Sequence, residues 1–151
     1  MAPYRFRLAR VLDWYRKQSQ VEQECLRSCN ERTIQAKADI ENHVRQVLAR
    51  QTELIHSAKL QARELAALEP FRRGAKQQEV RLRENFLRCE KALEKQRTVA
   101  QAAQRRVRLL ENLSDRRLSE YRYETDRELE ELASDTHLAG LARALAGKSQ
   151  G

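Results

Sequence analysis

The sequence predicts an all-α protein, a long antiparallel two-helix coiled-coil hairpin. Three observations predict it. Two apolar stripes recur at steps of three and four residues, the spacing of one face of a helix. A third of the residues are charged, few are aromatic, and Ala, Glu, Lys, Leu, Arg and Gln dominate, a composition of long-helix type. Helix-breaking residues are rare: four Gly and two Pro in 151 residues, with Gly140, Gly147 and Gly151 near the end.

The first arm is expected over about residues 4–68. Its stripe passes from Leu8 and Leu12 through Leu26, Ile40 and Val47 to Ala58, Ala62 and Leu65. The turn is expected at 69–74. In Leu68-Glu69-Pro70-Phe71-Arg72-Arg73-Gly74, the proline disfavours helical geometry at the residue before it and removes a backbone donor. Gly74 adopts positive φ at little cost. The second arm is expected over about 75–138, with a flexible tail at 139–151. From Leu82 to Leu110 the stripe steps 4-3-4, then 7 across Gln96, then 3-4-3, a heptad seam.

Folding about residue 71 or 72 pairs residue i with residue 143 minus i. Ile40 then faces Ala103, Leu54 faces Cys89, and Tyr15 lies near Glu128. The seam carries polar interruptions, Ser19 and Glu22 on one arm and Gln96, Ser114 and Arg117 on the other. Such positions fix register and partner number but weaken the pair. The chain is read as one elongated domain, a bendable rod and a monomer.

Charge is segregated. Residues 71–117 hold 14 Lys and Arg against 6 Asp and Glu, while residues 118–135 hold 2 Arg against 7 acids. One reading is a solvated helix face with i,i+4 pairs, as among Glu90, Lys91, Glu94 and Lys95. The other is guidance towards acidic partners. Specific nucleic-acid binding is not expected, because no aromatics interleave with the basic run and no binding motif is present. The aromatic residues Tyr4, Phe6, Trp14, Tyr15, Tyr121 and Tyr123 gather at the open end of the expected hairpin. They either plug that end against fraying or form a docking surface, since aromatics and arginines anchor interfaces.

Catalysis finds no support. No Gly-rich loop cradles phosphate. His43, His56 and His137 are scattered. Cys25 and Cys29 share a helix face, but two thiolates do not complete a zinc site, and Cys89 is expected near the other end of the rod. The three cysteines are read as small packing residues. No catalytic residue, metal or other cofactor is expected. No stretch of about 18 apolar residues exists to span a bilayer. The N-terminus lacks the apolar core of a signal peptide, so a cytoplasmic protein with reduced thiols is expected.

Two stretches resemble a known family. Phe6-Arg7-Leu8-Ala9-Arg10-Val11-Leu12, with Arg16 and Glu22, looks like the start of the flagellar export protein family FliJ. Arg116-Arg117-Leu118-Ser119-Glu120-Tyr121, then Asp126 to Ala133, is similar to its ending. Stalk proteins of virulence type III secretion are the related second choice. The resemblance implies an antiparallel hairpin in the cytoplasmic part of the type III export apparatus, peripheral at the cytoplasmic face of the inner membrane. It implies three partners: the hexameric export ATPase, the cytoplasmic part of the membrane export gate, and export chaperones.

Placed on this chain, the resemblance assigns the ring contact to the open end, with Phe6, Arg7, Arg10, Trp14, Tyr15, Tyr121, Glu124 and Glu128. It assigns the gate contact to a basic tip, with Phe71, Arg72, Arg73, Lys76 and Arg81. The alternatives are a generic coiled-coil scaffold and a non-specific nucleic-acid binder.

Overall fold

A computed structural model describes residues 3–56 and 62–150 of the chain. The fold is all-α, a two-helix hairpin of α1 (Ala9–His56) and α2 (Ala62–Lys148), with no strand among the described residues. The chain divides into two compact units, Lys17–Gln104 and Met1–Arg16 with Arg105–Gly151. The sequence reading had taken it as one.

In the unit Lys17–Gln104, α1 and α2 run antiparallel along a regular seam. On α1, Ser19, Glu22, Leu26, Cys29, Thr33, Ala36, Ile40, His43 and Val47 are buried or half-buried, at steps of 3 and 4. On α2 the same is true of Phe71, Ala75, Glu79, Leu82, Phe86, Cys89, Leu93, Gln96, Ala100 and Ala103. This is the heptad pattern that keeps one face of each helix on its partner. The tightest positions are small: Ala36 is 3% exposed and Ala100 only 1%. A methyl side chain lets the backbones approach, so apolar surface is removed from water without bulk.

Two polar layers define the register. The Gln96 amide donates to the Glu22 main-chain carbonyl (3.1 Å) and carboxylate (2.5 Å). His43 Nε2 bonds the Ala75 carbonyl at 2.8 Å. In both layers the two residue numbers add to 118, so residue i lies opposite 118 minus i. The expected value of 143 is therefore corrected. Cys89 stands in the layer of Cys29 rather than facing Leu54, and Ile40 lies level with Gln78 and Glu79 rather than Ala103.

The expected turn at 69–74 is also corrected, because α2 runs through it with Pro70 inside the helix. α1 ends at His56 and α2 begins at Ala62, so the antiparallel pairing is already set up before residue 69. Gly74 has no positive φ. Proline costs a helix one hydrogen bond and a clash with the preceding turn. Here Pro70 sits on the exposed side, while Leu68, Phe71, Ala75 and Glu79 continue the buried face. That packing outweighs the local penalty, as tertiary contacts commonly do for helix propensity. The steps 43-47-51 on α1 and 71-75-79 on α2 each contain two successive fours. These breaks in the heptad repeat overlap where 43–47 faces 71–75, so both helices depart from the heptad there. Ala58, of the first apolar stripe, lies outside the described residues.

The unit Met1–Arg16 with Arg105–Gly151 starts with a non-helical lead. The Phe6 carbonyl accepts the Ala9 N–H at 3.1 Å, and the Leu8 carbonyl accepts that of Leu12 at 2.8 Å, opening α1. Leu12 is 6% exposed. Val107, Leu110, Glu111, Ser114, Leu118, Tyr121 and Thr125 form the facing half-buried stripe of α2. Arg16 donates to Glu111 at 3.1 Å, so Tyr15 does not lie beside Glu128 as expected. From residue 126 to 150 every residue is exposed. The expected flexible tail is helical as far as Lys148. Leu129 and Leu132 on this stretch are 52% and 59% exposed.

Candidate interaction site

The lead Tyr4–Leu8 lies across α2 and encloses a cleft of about 710 Å³ with Leu113, Arg117, Glu120, Tyr121 and Glu124. Leu113, Arg117, Glu120 and Glu124 follow at steps of four, three and four, with Tyr121 beside Glu120, so one side of the helix carries them all. Two interactions hold the lead. The Tyr4 hydroxyl donates to the Ser114 carbonyl at 3.3 Å. The Tyr4 and Tyr121 rings sit 5.3 Å apart at 41°. Tilted aromatic pairs at this distance stabilise beyond simple burial.

The cleft is amphipathic. Its lining combines the apolar Phe6, Leu8, Leu113 and tyrosine rings with the charged Arg5, Arg7, Arg117, Glu120 and Glu124. Arg117 Nη1 donates to Glu120 at 3.3 Å. Such a surface suits a protein chain that brings an apolar anchor and polar flanks.

Of the residues expected at the ring contact, Phe6, Arg7, Tyr121 and Glu124 come together in this cleft. Arg10 is exposed on α1 outside it. Trp14 is 55% exposed and meets Tyr15 edge-on at 5.0 Å. Glu128 lies on the uncovered part of α2. Tyr123 is 71% exposed. The two readings of the aromatic cluster thus divide by residue: Tyr4 and Tyr121 close the pair, while Trp14 and Tyr123 face outward. Arg5, Leu8, Leu113, Arg117 and Glu120 were not named for this contact, and Tyr4 was named only among the aromatics of the open end. The recurrence 113-117-120-124 around Tyr121 was the signal available.

The residues expected at a basic tip lie on helical α2 of the unit Lys17–Gln104, past its start by several turns. Phe71 is half-buried against His43 and Val47, which makes it a packing residue. Arg72 and Lys76 border a groove with Val44, Val47 and Leu48 of α1. Arg73, Lys76 and Arg81 share a shallow exposed groove with Val80 and Glu84. A basic face therefore exists, along the paired helices rather than at a corner.

The expected i,i+4 pairing among Glu90, Lys91, Glu94 and Lys95 is absent, since none of them forms an ion pair within 4.0 Å. The recorded pairs are Arg16 with Asp13 and Glu111, Arg83–Glu79, Arg117–Glu120 and Arg127–Glu131. In each pair the basic partner is exposed, and each contributes about 1 kcal/mol at most. Most basic side chains are thus left to act through their field. Among the described residues no group of three or more His, Cys, Asp or Glu is placed to hold a metal ion. Among the described residues no helix is long and apolar enough to cross a membrane.

Comparison with protein families, with characterised proteins and with solved structures returned no match.

Proposed function

We propose that this chain is a coiled-coil stalk of the flagellar type III protein export apparatus. It docks in the hexameric export ATPase, links that ring to the cytoplasmic part of the membrane export gate, and meets export chaperones. It acts at the cytoplasmic face of the inner membrane and performs no catalysis itself.

One observation carries the reading. The two stretches that resemble the FliJ family lie about a hundred residues apart in sequence and line one cleft, with Phe6, Arg7 and Leu8 from the first and Arg117, Glu120 and Tyr121 from the second. Arg16 and Glu22, named with the first stretch, each hold a cross-helix hydrogen bond, to Glu111 and Gln96. Within the reading, the cleft and the exposed Trp14 take the ATPase, and the basic face around Arg73, Lys76 and Arg81 takes the gate.

The test is a pull-down and ATPase assay with the export ATPase of the same organism. The wild-type chain binds and stimulates turnover, and Phe6→Ala with Trp14→Ala loses both. Unchanged binding and stimulation in the double variant removes the cleft from the reading. Absence of binding by the wild-type chain removes the reading itself.

A scaffold role is favoured by a different feature, the uncovered Leu129, Leu132, Leu138, Leu141 and Leu145 on α2. Light scattering separates the two: a stalk is a monomer on its own, and a scaffold pairs through these leucines.

A further inference from the structure

We propose that Cys29 and Cys89 form a covalent modification site, a dithiol poised to close into a disulfide across the seam. The register supplies the argument. Glu22 faces Gln96 and His43 faces Ala75, and both layers are hydrogen-bonded. Between them the helices advance in whole heptads: 22, 29, 36, 43 on α1 and 96, 89, 82, 75 on α2. Cys29 and Cys89 therefore occupy one layer, fixed from both sides. Both are half-buried in the seam, whereas Cys25 is exposed.

The layer is also close enough. Side chains on each side of it reach the opposite backbone: Gln96 bonds the Glu22 carbonyl and His43 the Ala75 carbonyl. Ala36, one heptad from Cys29, is 3% exposed. Helices packed at 8–10 Å, each with its Cα atoms on a radius of about 2.3 Å, bring facing Cα atoms into the range a disulfide spans. Thr33 donates its hydroxyl to the Cys29 carbonyl, fixing the helix turn beside the thiol.

The oxidant is a low-molecular-weight disulfide. A thiolate of the pair attacks one of its sulfurs, giving a mixed disulfide and one released thiol. The second cysteine, as thiolate, attacks the protein sulfur of that mixed disulfide and expels the second thiol. Two protein S–H bonds are lost, one protein S–S bond forms, and the small disulfide takes up both electrons and both protons as two thiols. The bridge joins positions 60 apart in sequence. It removes conformations from the unfolded chain and holds the two helices in this register.

The experiment treats the full-length chain and Cys25→Ser with oxidised glutathione, caps free thiols, and measures intact mass and linked peptides. The expected product is a monomer two hydrogens lighter, with the Cys29 and Cys89 peptides joined. Its Tm rises by about 5 °C or more and falls back with dithiothreitol. Cys29→Ala with Cys89→Ala keeps its helical circular dichroism and shows no such rise. Persistent glutathione adducts on Cys29 or Cys89 in the Cys25→Ser protein, or cross-linked dimers through these residues, overturn the proposal.

Discussion

The Gln96 side-chain amide bonds both the carboxylate and the main-chain carbonyl of Glu22, 74 positions away in sequence. A polar layer inside an otherwise apolar seam is tolerable only when its groups satisfy one another. This layer also forbids the neighbouring registers, because a shift of one heptad would set Glu22 opposite Cys89 or Ala103.

Breaking that layer on one side only is therefore costly. Gln96→Leu leaves the Glu22 carboxylate half-buried without its donor and destabilises by about 1–3 kcal/mol. Gln96→Leu with Glu22→Leu restores or exceeds the wild-type stability, since a paired polar layer trades well against apolar packing. Thermal melts followed by circular dichroism of the three proteins measure both effects. The double variant should also lose register specificity, seen as broadened amide resonances.

Pro70 and Gly74 lie inside a helix, so replacing them should stabilise. Pro70→Ala returns a backbone donor and removes a clash, adding about 1–3 kcal/mol. Gly74→Ala adds about 0.5–1 kcal/mol, because the position has no positive φ and nothing lies within 4 Å of the new methyl. Were these residues a turn, both changes would lower the melting temperature instead.

The seam is close-packed around small residues. Leu93→Ala opens a void at a position 8% exposed and costs about 2–4 kcal/mol. Ala100→Leu forces bulk into the tightest point of the seam, 1% exposed, and costs about 1–3 kcal/mol. Urea unfolding of each variant gives the values. A Leu at Ala142, exposed on α2, serves as the control and should change little.

The lead before α1 is held by Tyr4. Tyr4→Phe removes the bond to the Ser114 carbonyl and costs about 0.5–1 kcal/mol. Tyr4→Ala removes the ring contact with Tyr121 as well. Hydrogen exchange at Phe6–Leu8, and at Ala9, whose N–H bonds the Phe6 carbonyl, should accelerate more in the second variant than in the first.

The helices and their buried faces were legible in sequence because a seam of three and four steps leaves few alternatives. Gln96, Glu22 and Ser114 were recognised there as inward polar positions, although which faced which was not. The turn was misread because Pro70 and Gly74 carry the strongest local stop signal in the chain, whereas Ser57-Ala58-Lys59-Leu60-Gln61 contains neither residue type. The evidence against a stop was non-local: Leu68, Phe71 and Ala75 continue the apolar face through the proline. Misplacing the turn moved every cross-helix partner by about 25 positions. That hid the Cys29–Cys89 layer and sent Phe71 to a tip it does not occupy. The cleft was half legible, since Phe6, Arg7, Tyr121 and Glu124 were named, but its α2 wall needed the register.

The most direct test measures the distance between spin labels at Lys37 and Arg81, two exposed positions whose numbers add to 118. Pulsed dipolar spectroscopy should find them level with one another on the paired helices, whose axes lie about 10 Å apart. A reversal at Pro70–Gly74 would instead put Arg81 opposite residue 62, leaving Lys37 about 37 Å away along α1 at 1.5 Å per residue. The longer distance would contradict the register and everything placed by it.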